Sequence, residues 1–537
     1  MSVKYANKYS NMYCGDMDSK QVSLLLNIRK RDSIPNLKNK IYNFTPELVI
    51  KSLETGKSIR EIISEEFNNN YTEFIGELRD YQTLGTGFLY LSPRSILGDG
   101  VGLGKTAQIG ALLNVLKEKG ELTRFMIAVD SSAVGQTQFE LMKFTGMNIV
   151  TLPSTSDKLK KAINNTNWEK VDGIVVKHSI LRSDTFFKWL ALNLDSNNKN
   201  KIFNTFILDE SSVIKNRNTK IFEYTSSICN IVDRVHLLNA TTFEISIMDI
   251  YNQLDIIYPT LLPNKWRIEK EYCVYGRKQY WTKNKATGKA ELKFARQITG
   301  YKNQELFKDS LHLVYFGRSK KEVGKELPHK YLVYEVEPTL EQSLAISRGY
   351  RYTEVLNCPT NLEGVNINLN RKEIPKIDRL VSLVENEFTS EQIMIYCFHI
   401  EAQQVIKQEL EKIGRKPVIL NGETSDLDKL NIITEFNIGK KDILITNIQK
   451  SLNIYNGDVC IFYSMVGNPA RMEQIRGRID RSVDDKIKTY VLLLYKGTGE
   501  YNFFVNKAKQ RSKDSRDLTI DSKTAVDMFI QAMELGE

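Results

Sequence analysis

No two of the six cysteines, Cys14, Cys229, Cys273, Cys358, Cys397 and Cys460, stand close enough to make a CxxC pair. The five histidines are just as scattered. A disulfide framework and a structural zinc site both need clustered ligands. Neither is expected, and the cysteines read as buried free thiols. The chain also lacks any run approaching the ~20 apolar residues of a membrane-spanning helix. Its first residues, Met1-Ser2-Val3-Lys4-Tyr5, carry no apolar signal-peptide core. An intracellular protein is expected. The net charge of +10 is mild for 537 residues, so its distribution matters more than its size.

What is present is ample apolar material, 41% of the chain. At this length three or four domains are expected. The chain is organised around Ile96-Leu97-Gly98-Asp99-Gly100-Val101-Gly102-Leu103-Gly104-Lys105-Thr106. An apolar stretch leads into a glycine-dense turn, and Gly-Lys-Thr then opens a helix-forming run. Glycines let backbone N–H groups curl around a phosphate, and the helix N-terminus adds positive dipole. In such a loop Lys105 would neutralise the β- and γ-phosphates and Thr106 would hold Mg²⁺. The strict pattern GxxxxGK[ST] is missed at its first position, where Asp99 stands.

Residues 1–40 are polar, with basic patches at Arg29-Lys30-Arg31 and Lys38-Asn39-Lys40. Thr45-Pro46-Glu47 reads as N-cap, first-turn proline and first-turn acid, and Gly56 ends that helix. Ser58 and Glu61 make a capping box for a second helix to about Phe67. The pair reads as a packing module rather than a DNA-reading helix-turn-helix. Beyond the loop, β-rich runs at Phe125–Val129, Gly173–Val176 and Phe203–Leu208 alternate with helical stretches at Thr106–Lys119, Gly135–Phe144 and Phe186–Leu192. That rhythm predicts a parallel α/β sheet with its chemistry at the strand C-terminal ends. The last of these strands delivers Asp209-Glu210 at its exit. Asp209 can hold Mg²⁺, and Glu210 can orient and deprotonate an attacking water.

These segments are similar to a Swi/Snf-like member of the second helicase superfamily. Leu78-Arg79-Asp80-Tyr81-Gln82 resembles that family's adenine-reading motif, with Gln82 as the reader. Asp99 through Thr106 matches its D-x-x-G-x-G-K-T, which accounts for the aspartate. Asp209-Glu210-Ser211-Ser212-Val213-Ile214-Lys215-Asn216 is similar to D-E-A-H-x-I-K-N. Val235 to Thr242 stands where the family has a strand ending T-G-T-P. Arg318-Ser319-Lys320-Lys321-Glu322-Val323, with Glu326-Leu327-Pro328-His329-Lys330, resembles R-x-K-x-x-V…L-P-x-K. Asn421-Gly422-Glu423-Thr424-Ser425 parallels D-G-S-T-S. Asn468-Pro469-Ala470 with Gln474-Ile475-Arg476-Gly477-Arg478-Ile479-Asp480-Arg481 fits N-P…Q-x-x-G-R-x-x-R. The matches run in order over residues 78–481. Three segments depart from the pattern. Ser211-Ser212 replaces Ala-His, Asn239-Ala240-Thr241-Thr242 keeps one residue of T-G-T-P, and Thr446–Asn453 has Ser451 where a glycine is expected.

The resemblance implies two tandem RecA-like parallel-sheet lobes with ATP between them. The expected divisions are an N-terminal accessory region over 1–75, lobe one over 76–262, a basic insertion and connector over 263–366, lobe two over 367–500, and a helical tail over 501–537. In lobe two, strands are expected at Gln392–Cys397, Pro417–Leu420, Asp442–Thr446, Val459–Tyr463 and Thr489–Leu494. Helices are expected at Ala402–Ile413, Asp426–Phe436 and Ala470–Ile479. Arg478 and Arg481, spaced i and i+3, would share a helix face and reach the γ-phosphate when the lobes close. In the tail, Val526, Phe529 and Met533 share one face.

Within the insertion, residues 265–302 carry eleven Lys and Arg against three Glu, which is most of the net charge. Aromatic residues are interleaved. Lysines meet phosphates and aromatics stack on bases. Strands at Tyr272–Thr282 and Gly288–Ala295 would form a protruding hairpin, with Lys278, Tyr280, Trp281, Lys283, Lys285 and Lys289 as nucleic-acid contacts. The expected function is an ATP-dependent helicase or translocase on duplex or branched DNA, RNA being the lesser expectation. The rivals are a strand-separating DNA or RNA helicase, the motor subunit of a restriction or defence complex or a phage recombination and repair enzyme, and a nucleotide-gated DNA clamp that does not move.

Overall fold

The computed structural model describes residues 47–67, 74–193, 202–239, 247–257, 265–283, 290–303, 314–320, 322–325, 328–347, 374–448, 454, 456–466, 468–479, 486–509 and 525–535. Two parallel sheets stand in tandem. The first contains β1 (Arg94–Leu97), β2 (Phe125–Val129), β3 (Ile149–Thr151), β4 (Gly173–Lys177), β5 (Thr205–Leu208), β6 (Arg234–Leu238) and, further along the chain, β9 (Tyr315–Phe316). Its order is β3-β4-β2-β5-β6-β1-β9, so β6 lies between the strand that feeds the glycine loop and the strand that delivers Asp209.

The second sheet contains β10 (His329–Val336), β11 (Ile393–Tyr396), β12 (Pro417–Leu420), β13 (Ile443–Thr446), β14 (Val459–Phe462) and β15 (Lys488–Tyr495), in the order β10-β15-β14-β11-β13-β12. Strands covered by helices on both faces read as continuous apolar runs. Strand β11 shows how the two faces are shared out. Ile393 and Ile395 join one core, and Met394 and Tyr396 join the other. Each residue points opposite to its neighbour, the two-residue period of a strand.

The chain divisions are more interwoven than the expected ones. The 263–366 segment supplies an edge strand to each sheet, since β9 pairs with β1 and β10 pairs with β15 over its whole length. The crossing between lobes is therefore confined to residues between Phe316 and His329. The N-terminal helices Glu47–Thr55 and Ile59–Glu66 pack into the first core through Leu48, Ile59, Ile62 and Ile63. The Ser58–Glu61 capping box is formed. Thr45 and Pro46 lie outside the described residues. The tail helix Ala525–Leu535 buries Val526 and Phe529 in the second core, with Phe529 edge-on to Tyr331 at 5.1 Å.

Between β6 and β9 stands an antiparallel ribbon of β7 (Cys273–Lys283) and β8 (Ala290–Tyr301). At about 3.3 Å per residue it is on the order of 35 Å long. Its second strand runs to Tyr301 rather than ending at Ala295. The Cys273↔Tyr301 end of the ladder gives these residues partners that their local pattern does not announce. Cys229, Cys273, Cys397 and Cys460 are buried free thiols. Among the described residues no helix is long and apolar enough to cross a membrane.

Candidate functional site

The loop after β1 turns through Gly102 and Gly104, both left-handed at φ 85° and 78°. A side chain is strained there, and a Cβ on Gly104 would also stand 2.3 Å from Gln82 Nε2. The helix Lys105–Glu118 opens directly behind the turn. Gly100, Val101 and Leu103 form the arc of the loop, with Leu103 buried beneath it. Lys105 folds back over this arc, its Nζ donating to Asp99 O at 2.7 Å and Gly100 O at 3.4 Å. The ammonium thus caps the arc of the loop. Thr106 follows it in the first turn, half-buried.

Burial pushes the Lys105 ammonium below its usual range. The carboxylates of Asp209, Asp99 and Glu210 oppose that, and Arg478 adds to it. Lys105 and Asp209, 104 positions apart, therefore share one electrostatic site with a residue of the second lobe. The helix Pro469–Ile479 supplies the direct contacts. Gln474 Nε2 donates to Glu210 Oε2 at 3.3 Å. Gly477 packs on the loop so closely that a Cβ would lie 2.5 Å from Val101 Cγ1. Arg478 is buried, its Nε donating to Gln474 O at 2.9 Å.

Glu210 stands in the left-handed region at φ 50°, ψ 53°. For a non-glycine residue that backbone persists only where surroundings impose it. Its N–H donates to Asp209 Oδ1 at 3.0 Å, and His178 Nε2 pairs with Asp209 O at 2.8 Å.

Two expected binding residues have structural partners. The Gln82 amide faces the loop, its Nε2 donating to Leu103 O at 3.1 Å and its Oε1 accepting from Arg79 N at 3.0 Å. Asp99 is fully buried, and its carboxylate accepts from Arg318 and from Gln108 Nε2 at 2.8 Å. Asp99 thus anchors the loop from within. Arg481 lies outside the described residues, as do Ala240–Thr242 and residues 449–453. Lys278, Tyr280, Trp281 and Lys283 lie on β7, with their side chains outside the description, and Lys285 and Lys289 lie outside the described residues altogether. Gln474, Arg318 and Gln253 join the site although the sequence alone does not mark them as site residues. The first two lie within family-like motifs, and Gln253 carries no sequence signal.

The SNF2-related domain model matches residues 35–345, and the helicase conserved C-terminal domain model matches residues 375–483. Among curated proteins the chain is 22% identical to an uncharacterised ATP-dependent helicase of Mycoplasma pneumoniae, over 89% of this chain and 46% of that one. It is 22% identical to the SWI/SNF-related matrix-associated actin-dependent regulator of chromatin subfamily A-like protein 1 of Xenopus laevis, over 83% and 45%. It is also 22% identical to the DNA repair protein rhp54 of Schizosaccharomyces pombe, over 82% and 58%. The chain spans about half the length of these relatives. Among solved structures, the Sulfolobus solfataricus SWI2/SNF2 ATPase core in complex with dsDNA aligns with a TM-score of 0.40 and 19% identity, covering 82% of this chain and 95% of that one. The SNF2-related domain model alone takes in more than half of the sequence, and the chain belongs to the SNF2-related family, with a helicase C-terminal domain as its second lobe.

Proposed function

We propose that this protein is an ATP-driven DNA translocase that hydrolyses ATP between its two lobes. The observation that carries this reading is the meeting of Lys105, Asp209, Glu210 and Arg478 in one electrostatic site, with Gln474 touching Glu210 across the cleft. Lys105 sits where it can exchange the carbonyls of Asp99 and Gly100 for phosphate oxygens. Gln82 braces the loop and, from the family resemblance, reads the adenine edge.

The left-handed glycines leave open the cradle that phosphates need, and Thr106 and Asp209 offer the hydroxyl and carboxylate that suit a magnesium ion. When bound, Mg²⁺ supplies positive charge to the β- and γ-phosphates. Glu210 takes the proton of the attacking water, and Arg478 offsets charge on the phosphoryl group from the second lobe. The lobes close on ATP and reopen after hydrolysis, so a grip shared between them advances along DNA. The basic ribbon of β7 and β8 offers a further phosphate contact.

The test is phosphate release with no nucleic acid, single strand, duplex, forked DNA and RNA side by side. Duplex or forked DNA is expected to stimulate most. Lys105→Ala should weaken ATP binding. Stimulation by RNA alone, or no turnover with any nucleic acid, would overturn the proposal.

A further inference from the structure

We infer that the helix Ile247–Ile257 sets the catalytic geometry of Glu210, with Gln253 and Ser211 as positioning residues. The inference rests on the reading of Glu210 as the base. Glu210 holds a left-handed backbone, which persists only where its surroundings impose it. The turn that follows Glu210 is held along its length by side chains of this helix. Ser211 Oγ donates to Gln253 Oε1 at 2.6 Å, both side chains fully buried. Asn252 Nδ2 donates to Lys215 O, and Asp255 pairs with Arg217. The Arg217 guanidinium lies 5.4 Å from the centre of the Tyr251 ring. His178 pairs in addition with the carbonyl of Asp209.

Ser211 stands where the family resemblance has alanine, which offers no hydrogen bond. The serine thus gives this chain a direct tie from the residue after Glu210 to the helix. That helix begins at Ile247, a short way beyond the end of β6 at Leu238. Strand β6 itself lies between β5 and β1, the two strands that deliver Asp209-Glu210 and the glycine loop. A shift of the helix would therefore reach Glu210 through the Gln253–Ser211 bond. A displacement of about 1 Å at a reacting group costs on the order of 10²-fold in rate.

The test compares Ser211→Ala, Gln253→Leu, the double variant and Glu210→Gln in the full chain, with saturating duplex DNA. ATP affinity and kcat are measured separately. Ser211→Ala removes a single oxygen, so it remains informative if Gln253→Leu does not fold. The expected result is a 10- to 100-fold fall in kcat for each single variant, ATP affinity within twofold of wild type, and a double variant no worse than the poorer single. Such non-additivity marks one shared interaction. Near-normal kcat in Ser211→Ala, or loss of ATP affinity in step with kcat, would overturn the positioning role while Glu210→Gln stays inactive. Normal turnover in Glu210→Gln would instead remove the base, and this inference with it.

Discussion

Arg318 and Asp99 close on each other across 219 positions of sequence. The Arg318 backbone N–H and Nε both donate to Asp99 Oδ1, at 3.1 and 2.9 Å, and its second guanidinium nitrogen reaches Oδ2 at 2.5 Å. Asp99 is fully buried and the Arg318 side chain is 9% exposed. The pair fastens the floor of the glycine loop to the first residues of the crossing between lobes. Gly100 N–H donates in turn to Arg318 O.

Breaking this pair takes the guanidinium from a buried carboxylate, a change that costs about 3–5 kcal/mol. Arg318→Ala should lower unfolding stability of the first lobe by that order. Arg318→Lys should recover little, because an ammonium cannot fill both carboxylate oxygens and the backbone-facing site together. Denaturant titration checks this, and ATP affinity of the lysine variant should fall with the loosened loop.

His236 gives the first lobe a pH dependence. It is fully buried on β6, its Nδ1 paired with Ser95 Oγ at 3.0 Å, and its Nε2 has no partner among the described residues. Burial, helped by Arg234 and Arg94, pushes its pKa down to about 3. The unfolded chain titrates near 6.5, so between those values it binds the extra proton. The stability contributed by neutral His236 is complete above pH 6.5 and is lost as pH falls toward 3, by up to about 1.4 kcal/mol per pH unit. Urea midpoints from pH 7.5 to 5 for wild type and His236→Asn should converge on acidification. Parallel curves would show that the imidazole carries no such linkage.

The ribbon should act through charge. Arg277 is exposed on β7, and Arg296 on β8 stacks 3.5 Å above the Tyr275 ring, with Phe294 exposed beside it. Each phosphate that is no longer neutralised by a lysine reduces the salt slope of DNA binding by about 0.9. Replacing Lys278, Lys283, Lys285 and Lys289 together by alanine should therefore flatten the log–log slope by up to about 4. ATP affinity should be unchanged. An unaltered slope in fluorescence anisotropy would make the ribbon a solvated flap.

The parts of the site read most directly from the chain are those fixed by short spacing. Gly102, Gly104 and Lys105 follow one turn, and Asp209-Glu210 follows one strand. Backbone geometry over a few residues decides both. The role of Asp99 is hidden in the sequence because its partners, Arg318 and Gln108, are chosen by tertiary folding. The same holds for Gln253, whose helix meets the Glu210 turn only once the sheet is assembled. Strand β10 has no counterpart among the expected strands, because its pairing with β15 is chosen only when the second sheet assembles. In the second lobe β12 is legible to the residue, and the other expected strands lie within one residue of their observed ends. Uninterrupted apolar runs between helices leave little choice of boundary.

If ATP is read by both lobes at once, the loss of Arg478 must show it. The measurement is single-turnover ATP hydrolysis by Arg478→Ala with saturating duplex DNA, beside equilibrium ATP binding. Positive charge on a transferring phosphoryl group is worth roughly 10³–10⁵ in rate, or about 4–7 kcal/mol of barrier. The interaction is strongest in the transition state, so affinity should fall far less than rate. The expected result is a rate lowered at least about 10³-fold, with DNA binding in the absence of ATP retained. A wild-type rate in Arg478→Ala would contradict the two-lobe site and leave the phosphate chemistry to the first lobe alone.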